Sequence, residues 1–153
     1  MPIKRHPFSQ APAGTVFAIA ITPEKWGFVR FFNGLGMNVL PLVGNNPEMP
    51  KIDWKNPPFG WFMFSFAPND DKTEAVKVGM IPFPDEDSEC PPPCYYPPDI
   101  ADKSYRIYEK GEVRDATKSE VQGMTQHVRV TPERLAEFLR EKLKNGELRD
   151  LSC

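Results

Sequence analysis

The chain is short of the side chains that soft-metal and nucleophilic chemistry needs: its 153 residues include two histidines and three cysteines. Three cysteines, being odd in number, exclude a complete disulfide framework, so Cys90 and Cys94 are expected as thiols. Structural zinc wants four ligands at paired spacings, whereas Cys90 and Cys94 bracket three prolines and the remaining candidates, His6, His127 and Cys153, are scattered; no metal or cofactor is expected. No apolar run approaches the roughly eighteen residues that span a bilayer, and the opening Met-Pro-Ile-Lys-Arg-His-Pro lacks a signal-peptide core, so a cytoplasmic location off the membrane is expected. A net charge of only −2 provides no global field for nucleic acid.

What is present in excess is proline, 18 residues, more than twice the usual share of roughly 5%. Charge is also unevenly spread. Residues 1–68 carry six Lys/Arg against three Asp/Glu, residues 69–102 two against nine, and residues 103–153 eleven against nine, so the middle of the chain is an acidic island of −7. Within it, residues 85–99 hold five carboxylates (Asp85, Glu86, Asp87, Glu89, Asp99), five prolines, Tyr95 and Tyr96, and no positive charge. Proline fixes its own φ and pushes its predecessor out of the helical region, which predicts a stiff, extended arm suited to recognising a basic partner.

Around this arm the pattern is mainly strand. Residues 15–21 set Phe17, Ile19 and Ile21 on one face and Val16, Ala18 and Ala20 on the other, a strand buried on both sides. A turn at residues 22–25 leads to a second strand at 26–32, and a third at 37–43 is placed at an edge by Pro41. Residues 44–60 read as a long surface loop. Residues 61–66 alternate, with Phe62, Phe64 and Phe66 opposite Trp61, Met63 and Ser65, and Val76, Val78 and Met80 repeat the alternation. Later come a hairpin through residues 105–114 and a short helix toward Gly123. A final helix is capped by Thr131, with Pro132 at its first position, Leu135, Phe138, Leu139 and Leu143 on one face and Gly146 beyond its end.

The expected fold class is therefore α+β, with a small, strongly bent antiparallel sheet or SH3-like barrel of about five strands plus a later hairpin and C-terminal helix. One domain of 153 residues is expected: a β core at 14–83, the arm at 84–103, the hairpin at 104–116 and the helical extension at 117–146.

Catalytic motifs fail on inspection. Gly34-Leu35-Gly36 has two glycines of a dinucleotide fingerprint but Val39 where the third belongs, and no helix follows. His127 has no Ser or Cys whose pairing the sequence displays, and five carboxylates crowded on one segment form a solvated charge run, not a pair across a sugar cleft. The reading is non-enzymatic. Candidate partner-binding residues are Asp85, Glu86, Asp87, Glu89 and Asp99 for charge, Tyr95 and Tyr96 as anchors, and Trp54 and Phe59 from the proline-rich loop.

Several blocks resemble the immunity protein 26 family of bacterial polymorphic toxin systems: Gly14-Thr-Val-Phe-Ala-Ile19, Gly27-Phe-Val-Arg30, Val78-Gly79-Met-Ile-Pro82, Pro91-Pro92-Pro93 and Tyr105-Arg-Ile-Tyr-Glu-Lys-Gly-Glu-Val-Arg-Asp-Ala-Thr117. The likeness runs from about Gly14 to Gly123 and departs at Glu120 and Val121, where the family pattern would place a cysteine. It implies a small antitoxin that neutralises a cognate toxin by binding it, with blockage of the active site the expected mode and a monomer when free the default. With the acidic island, the expected target is a toxin acting on nucleic acid or on a phosphate-bearing cofactor such as NAD. The alternative from a different class is an interaction module whose residues 91–98 serve as a polyproline ligand.

Overall fold

Buried strands, not the proline content, set the architecture. The computed structural model describes residues 7–151 apart from 35, 66–70, 102 and 111; the expectations for His6, Phe66 and Cys153 lie outside the described residues. Strands β1 (Thr15–Thr22) and β2 (Lys25–Phe31) form a hairpin closed at Thr22 opposite Lys25, where the Thr22 hydroxyl accepts the Glu24 amide. With β3 (Gly36–Gly44), β4 (Trp61–Ser65) and β5 (Ala75–Met80) they make an antiparallel sheet ordered β4-β3-β2-β1-β5. The sheet stays open. Register shifts in the β1–β2, β1–β5 and β2–β3 pairings supply the bend that the irregular connections imply.

The acidic segment is where structure and expectation part. Instead of a uniformly extended arm, it begins with a single helical turn α1 (Glu86–Glu89), then becomes strand β6 (Cys94–Tyr96). The strand lies inside a second sheet, flanked by β7 (Tyr105–Glu109), which continues by hairpin to β8 (Glu112–Ala116), and by the short parallel β9 (Thr125–Gln126). Residues 118–123 form turns, not the short helix expected there; the Thr117 hydroxyl accepts the Glu120 amide and Glu120 in return accepts the Thr117 amide.

One segment joins the sheets. β9 pairs in parallel with β6, and β10 (Arg129–Val130), two residues further on, pairs in parallel with β4. His127 between them donates its backbone N–H to Tyr95, and Val128 accepts from the Phe64 amide.

Helix α2 (Pro132–Lys144) follows with the predicted cap: Thr131 Oγ1 accepts the Arg134 amide at 3.2 Å and Pro132 takes the first turn. Its end is closed by bonds from Gly146 to Leu143 and from Glu147 to Lys142, with Gly146 at φ 73°, the left-handed geometry of a Schellman stop. Leu135, Ala136 and Leu139 bury one face against β1 and its neighbours, each large aliphatic contributing about 1.5–3 kcal/mol. Gly27 permits this close approach, since a Cβ there would lie 2.8 Å from Leu139 Cδ1. The chain then adds β11 (Arg149–Asp150) beside β3.

Pro41 does not mark an edge. β3 is an interior strand, and Pro41 falls where one flank changes partner, from β4 (whose first residue, Trp61, lies opposite Val39) to β11 (whose first residue, Arg149, lies opposite Leu42), while the other flank bulges between Gly27 and Val29. No ladder bond is forfeited at that break. Both faces of the main sheet are covered: α2 and Phe8 pack on Phe17, Ile19, Phe31 and Met63, while Ile52 and Trp54 of the 45–60 loop pack on Ala18, Phe28, Leu40 and Leu42. Among the described residues no helix is long and apolar enough to cross a membrane.

Candidate functional site

Asp85 organises the acidic turn. Its side chain accepts the Ser88 amide at 2.7 Å while the Ser88 hydroxyl accepts the Asp85 amide at 3.3 Å, a reciprocal capping box that fixes four residues as a rigid turn. Those hydrogen bonds from Ser88 hold the Asp85 carboxyl below the usual carboxylate range. Glu86 and Asp87 project from this turn into solvent, and Lys110 Nζ reaches Asp87 at 3.3 Å across an exposed pair. Glu89 is half-buried, and its carbonyl accepts the Asn33 amide at 2.7 Å, tying the turn to the β2–β3 connection.

The remaining predicted residues do not gather there. Asp99 lies past the far end of β6, exposed, with Oδ1 accepting the Ala101 amide. Tyr95 and Tyr96 alternate across β6. Tyr95 is half-buried beside Tyr105, their centroids 6.3 Å apart. Tyr96 stacks on His127 at 4.3 Å and receives the Arg106 guanidinium at 5.0 Å, and His127 in turn lies 4.3 Å from Phe64 of the main sheet. Tyr96 is thus an internal tie between the sheets and not the free anchor expected of it. Pro91 is buried and leads into a paired strand, so residues 91–98 do not present a continuous polyproline ligand. Cys90 and Cys94 are both thiols, and burial pushes Cys94 up to about 11, which keeps it protonated and inert at neutral pH.

Trp54 and Phe59 separate from each other. Phe59 is 55% exposed at the mouth of an apolar groove beside Trp61, Val128 and Phe138. Trp54, its indole N–H donated to the Pro50 carbonyl, forms one wall of a hollow of about 710 Å³ that opens next to the acidic turn. Pro57, Ile81 and Phe83 form other walls, Ser88 of α1 stands at the rim, and Arg30 lies in the lining.

Arg30 was not singled out from the sequence as a site residue. It is 5% exposed in the middle of β2, on the same face as Phe28. Nη2 donates to the Ile81 carbonyl at 2.6 Å and to the Pro82 carbonyl at 3.3 Å, and the guanidinium carbon sits 3.8 Å from the Phe83 ring centroid and 5.5 Å from that of Trp54. Nε is buried without an acceptor, and among the described residues no carboxylate forms an ion pair with Arg30. Burial pulls its pKa below the ordinary arginine value. The available signal was a lone cation in the apolar run Gly27-Phe-Val-Arg-Phe-Phe32, where an arginine demands either a partner or a purpose.

No family model matches this chain, nor does any curated protein or solved structure. The site is therefore read from its own geometry: solvent-facing carboxylates on a capped turn, adjoining an open aromatic hollow, with no grouping of three or more His, Cys, Asp or Glu side chains able to hold a metal among the described residues.

Proposed function

We propose that the chain is a non-enzymatic immunity protein that binds a secreted bacterial toxin and blocks its active site, with the acidic turn of α1 and the Trp54 hollow beside it as the contact surface. The observation that carries this reading is the turn, its backbone held by the Asp85–Ser88 capping box, that sets exposed Glu86 and Asp87 next to aromatic walls. A backbone already held in its turn costs less to order when a basic cleft closes on its carboxylates, and an adjoining apolar hollow supplies the desolvated contacts that dominate tight complexes. The resemblance of the Gly14 to Gly123 blocks to immunity protein 26 supports the same reading. A toxin acting on nucleic acid or on a phosphate-bearing cofactor would offer the basic cleft that such carboxylates mimic phosphate to enter.

Co-expression with the product of the adjoining gene, which this reading requires to be a toxin, is the test. Growth should be restored by the native chain, and the doubly reversed Glu86→Lys, Asp87→Lys chain should associate at least about tenfold more slowly at low salt, with the gap narrowing as salt rises. Unchanged killing by the neighbouring toxin would remove the reading.

A further inference from the structure

Arg30 is a buried cation for which the described residues supply no anion. Its two Nη2 bonds go to neutral carbonyls, which orient the guanidinium but do not balance its charge, and Nε has no acceptor. The acidic side chain in the lining, Asp53, accepts the Lys55 amide at 3.0 Å and makes no ion pair with Arg30. We infer that the hollow over Arg30 is a binding site for a single carboxylate carried on a flat apolar group.

The chemistry of the walls selects that ligand. Trp54, Pro57, Ile81 and Phe83 favour a planar apolar body, and their exclusion of water strengthens a charge-assisted bond from the guanidinium at depth. A volume of about 710 Å³ suits a small-ligand site, whose usual range is roughly 300–1,000 Å³. Lys55 and Asp53 both lie in the lining and offset each other's charge, and Asp85 and Glu86 follow directly on Pro84 at its edge, so the net demand is for one negative charge, at Arg30. A role for Arg30 solely as a strut for residues 81 and 82 accounts for Nη2 and leaves the net charge unbalanced. The carboxylate has two possible sources, a free aromatic acid or an acidic side chain next to an aromatic on a partner protein. The inference holds whichever source applies and does not depend on the partner's being a toxin.

The test uses the intact wild-type chain and two matched probe pairs, read by calorimetry and saturation-transfer NMR. N-acetylphenylalanine is compared with its neutral amide, and the end-blocked dipeptide of phenylalanine and aspartate with its asparagine counterpart. At least one acid should bind saturably and at least about tenfold more tightly than its neutral partner. The first pair reports a free acid and the second a protein side chain. Arg30→Gln should abolish the acid preference, and Trp54→Leu should weaken both members of the binding pair. Equal affinity within both pairs, or no saturable binding by either acid, overturns the inference on the wild-type chain alone, even if Arg30→Gln does not fold. Persistence of the acid preference in a folded Arg30→Gln chain overturns it as well.

Discussion

The two sheets differ in how they are held. The main sheet is covered on both faces, by α2 and Phe8 on one side and the 45–60 loop on the other, and its central side chains Val29, Phe31, Val39 and Leu40 are fully buried. In the second sheet β8 is exposed at every position but its last, and Val113 is 52% exposed. Its attachment rests on the Thr125–Val130 segment and on the contacts of Phe64 with His127 and Tyr108. Stability should therefore be concentrated in the first sheet, leaving the second as a subunit of the fold that opens at lower free energy.

The largest effect should come from striking the main sheet. Phe31 is fully buried and meets Phe8 and Phe17 edge-on at 5.3 and 5.6 Å. Phe31→Ala should cost about 3–5 kcal/mol in urea denaturation and unfold both sheets together. A second sheet that survived loss of the first would refute the ordering of stabilities.

Next in size is the tie. Tyr96→Ala removes the ring between His127 and Arg106 and should cost about 1–3 kcal/mol, with hydrogen exchange accelerating in β6, β7 and β8 while β1 to β3 keep their protection. Uniform acceleration across both sheets would show that they open as one unit.

The same contrast explains how much was legible in advance. The parity of Phe17, Ile19 and Ile21 against Val16, Ala18 and Ala20 reports burial on both faces directly, and Thr131, Pro132 and Gly146 carry the helix boundaries in their local chemistry. Cys94 to Tyr96, by contrast, is three residues between a run of three prolines and a pair, too short for periodicity to register, and its strand character comes from β7 and β9, which arrive later in the chain. The α1 cap was missed because its third position is Ser88 in place of the usual Glu or Gln. Pro41 misled because a proline is compatible with an interior strand wherever two partner strands meet end to end. Of the candidate site, Trp54 and the Asp85 to Asp87 turn adjoin one hollow, yet Arg30, the residue that gives the hollow its chemistry, was hidden by its place in an apolar strand.

A smaller loss, about 1 kcal/mol, is expected from Thr131→Ala, which leaves the Arg134 amide without its acceptor. Because α2 packs on the main sheet, this loss should appear in the global denaturation midpoint and leave the difference in exchange between the two sheets unchanged. A selective effect on the second sheet would instead mean that the cap acts through the adjoining β10 strand.

The gentlest probe of the contrast is acid. Burial against Phe64 and Tyr96, and then the positive charge of Arg129, lower the pKa of His127 below its ordinary 6.5, while a hydrogen bond from the ring to its own backbone carbonyl opposes them weakly. Arg106, over the Tyr96 ring, adds a second cation to the stack. Since folded His127 releases its proton more readily than the unfolded chain does, the unfolded state binds more protons below pH 6.5 and stability falls as pH drops, from its full value above 6.5 until the folded-state pKa is passed. The tightly capped carboxylates Asp85 and Glu120 titrate in a lower window, so the histidine step stands apart from them. Between pH 7 and about 5, protection, taken relative to the intrinsic exchange rate at each pH, should fall first in β6 and β9, which flank the tie, and His127→Gln should flatten that dependence. An acid response of equal size in β1 to β3, or one that persists in His127→Gln, would place the pH-sensitive contact elsewhere and dissolve the distinction between a firmly held sheet and a tied one.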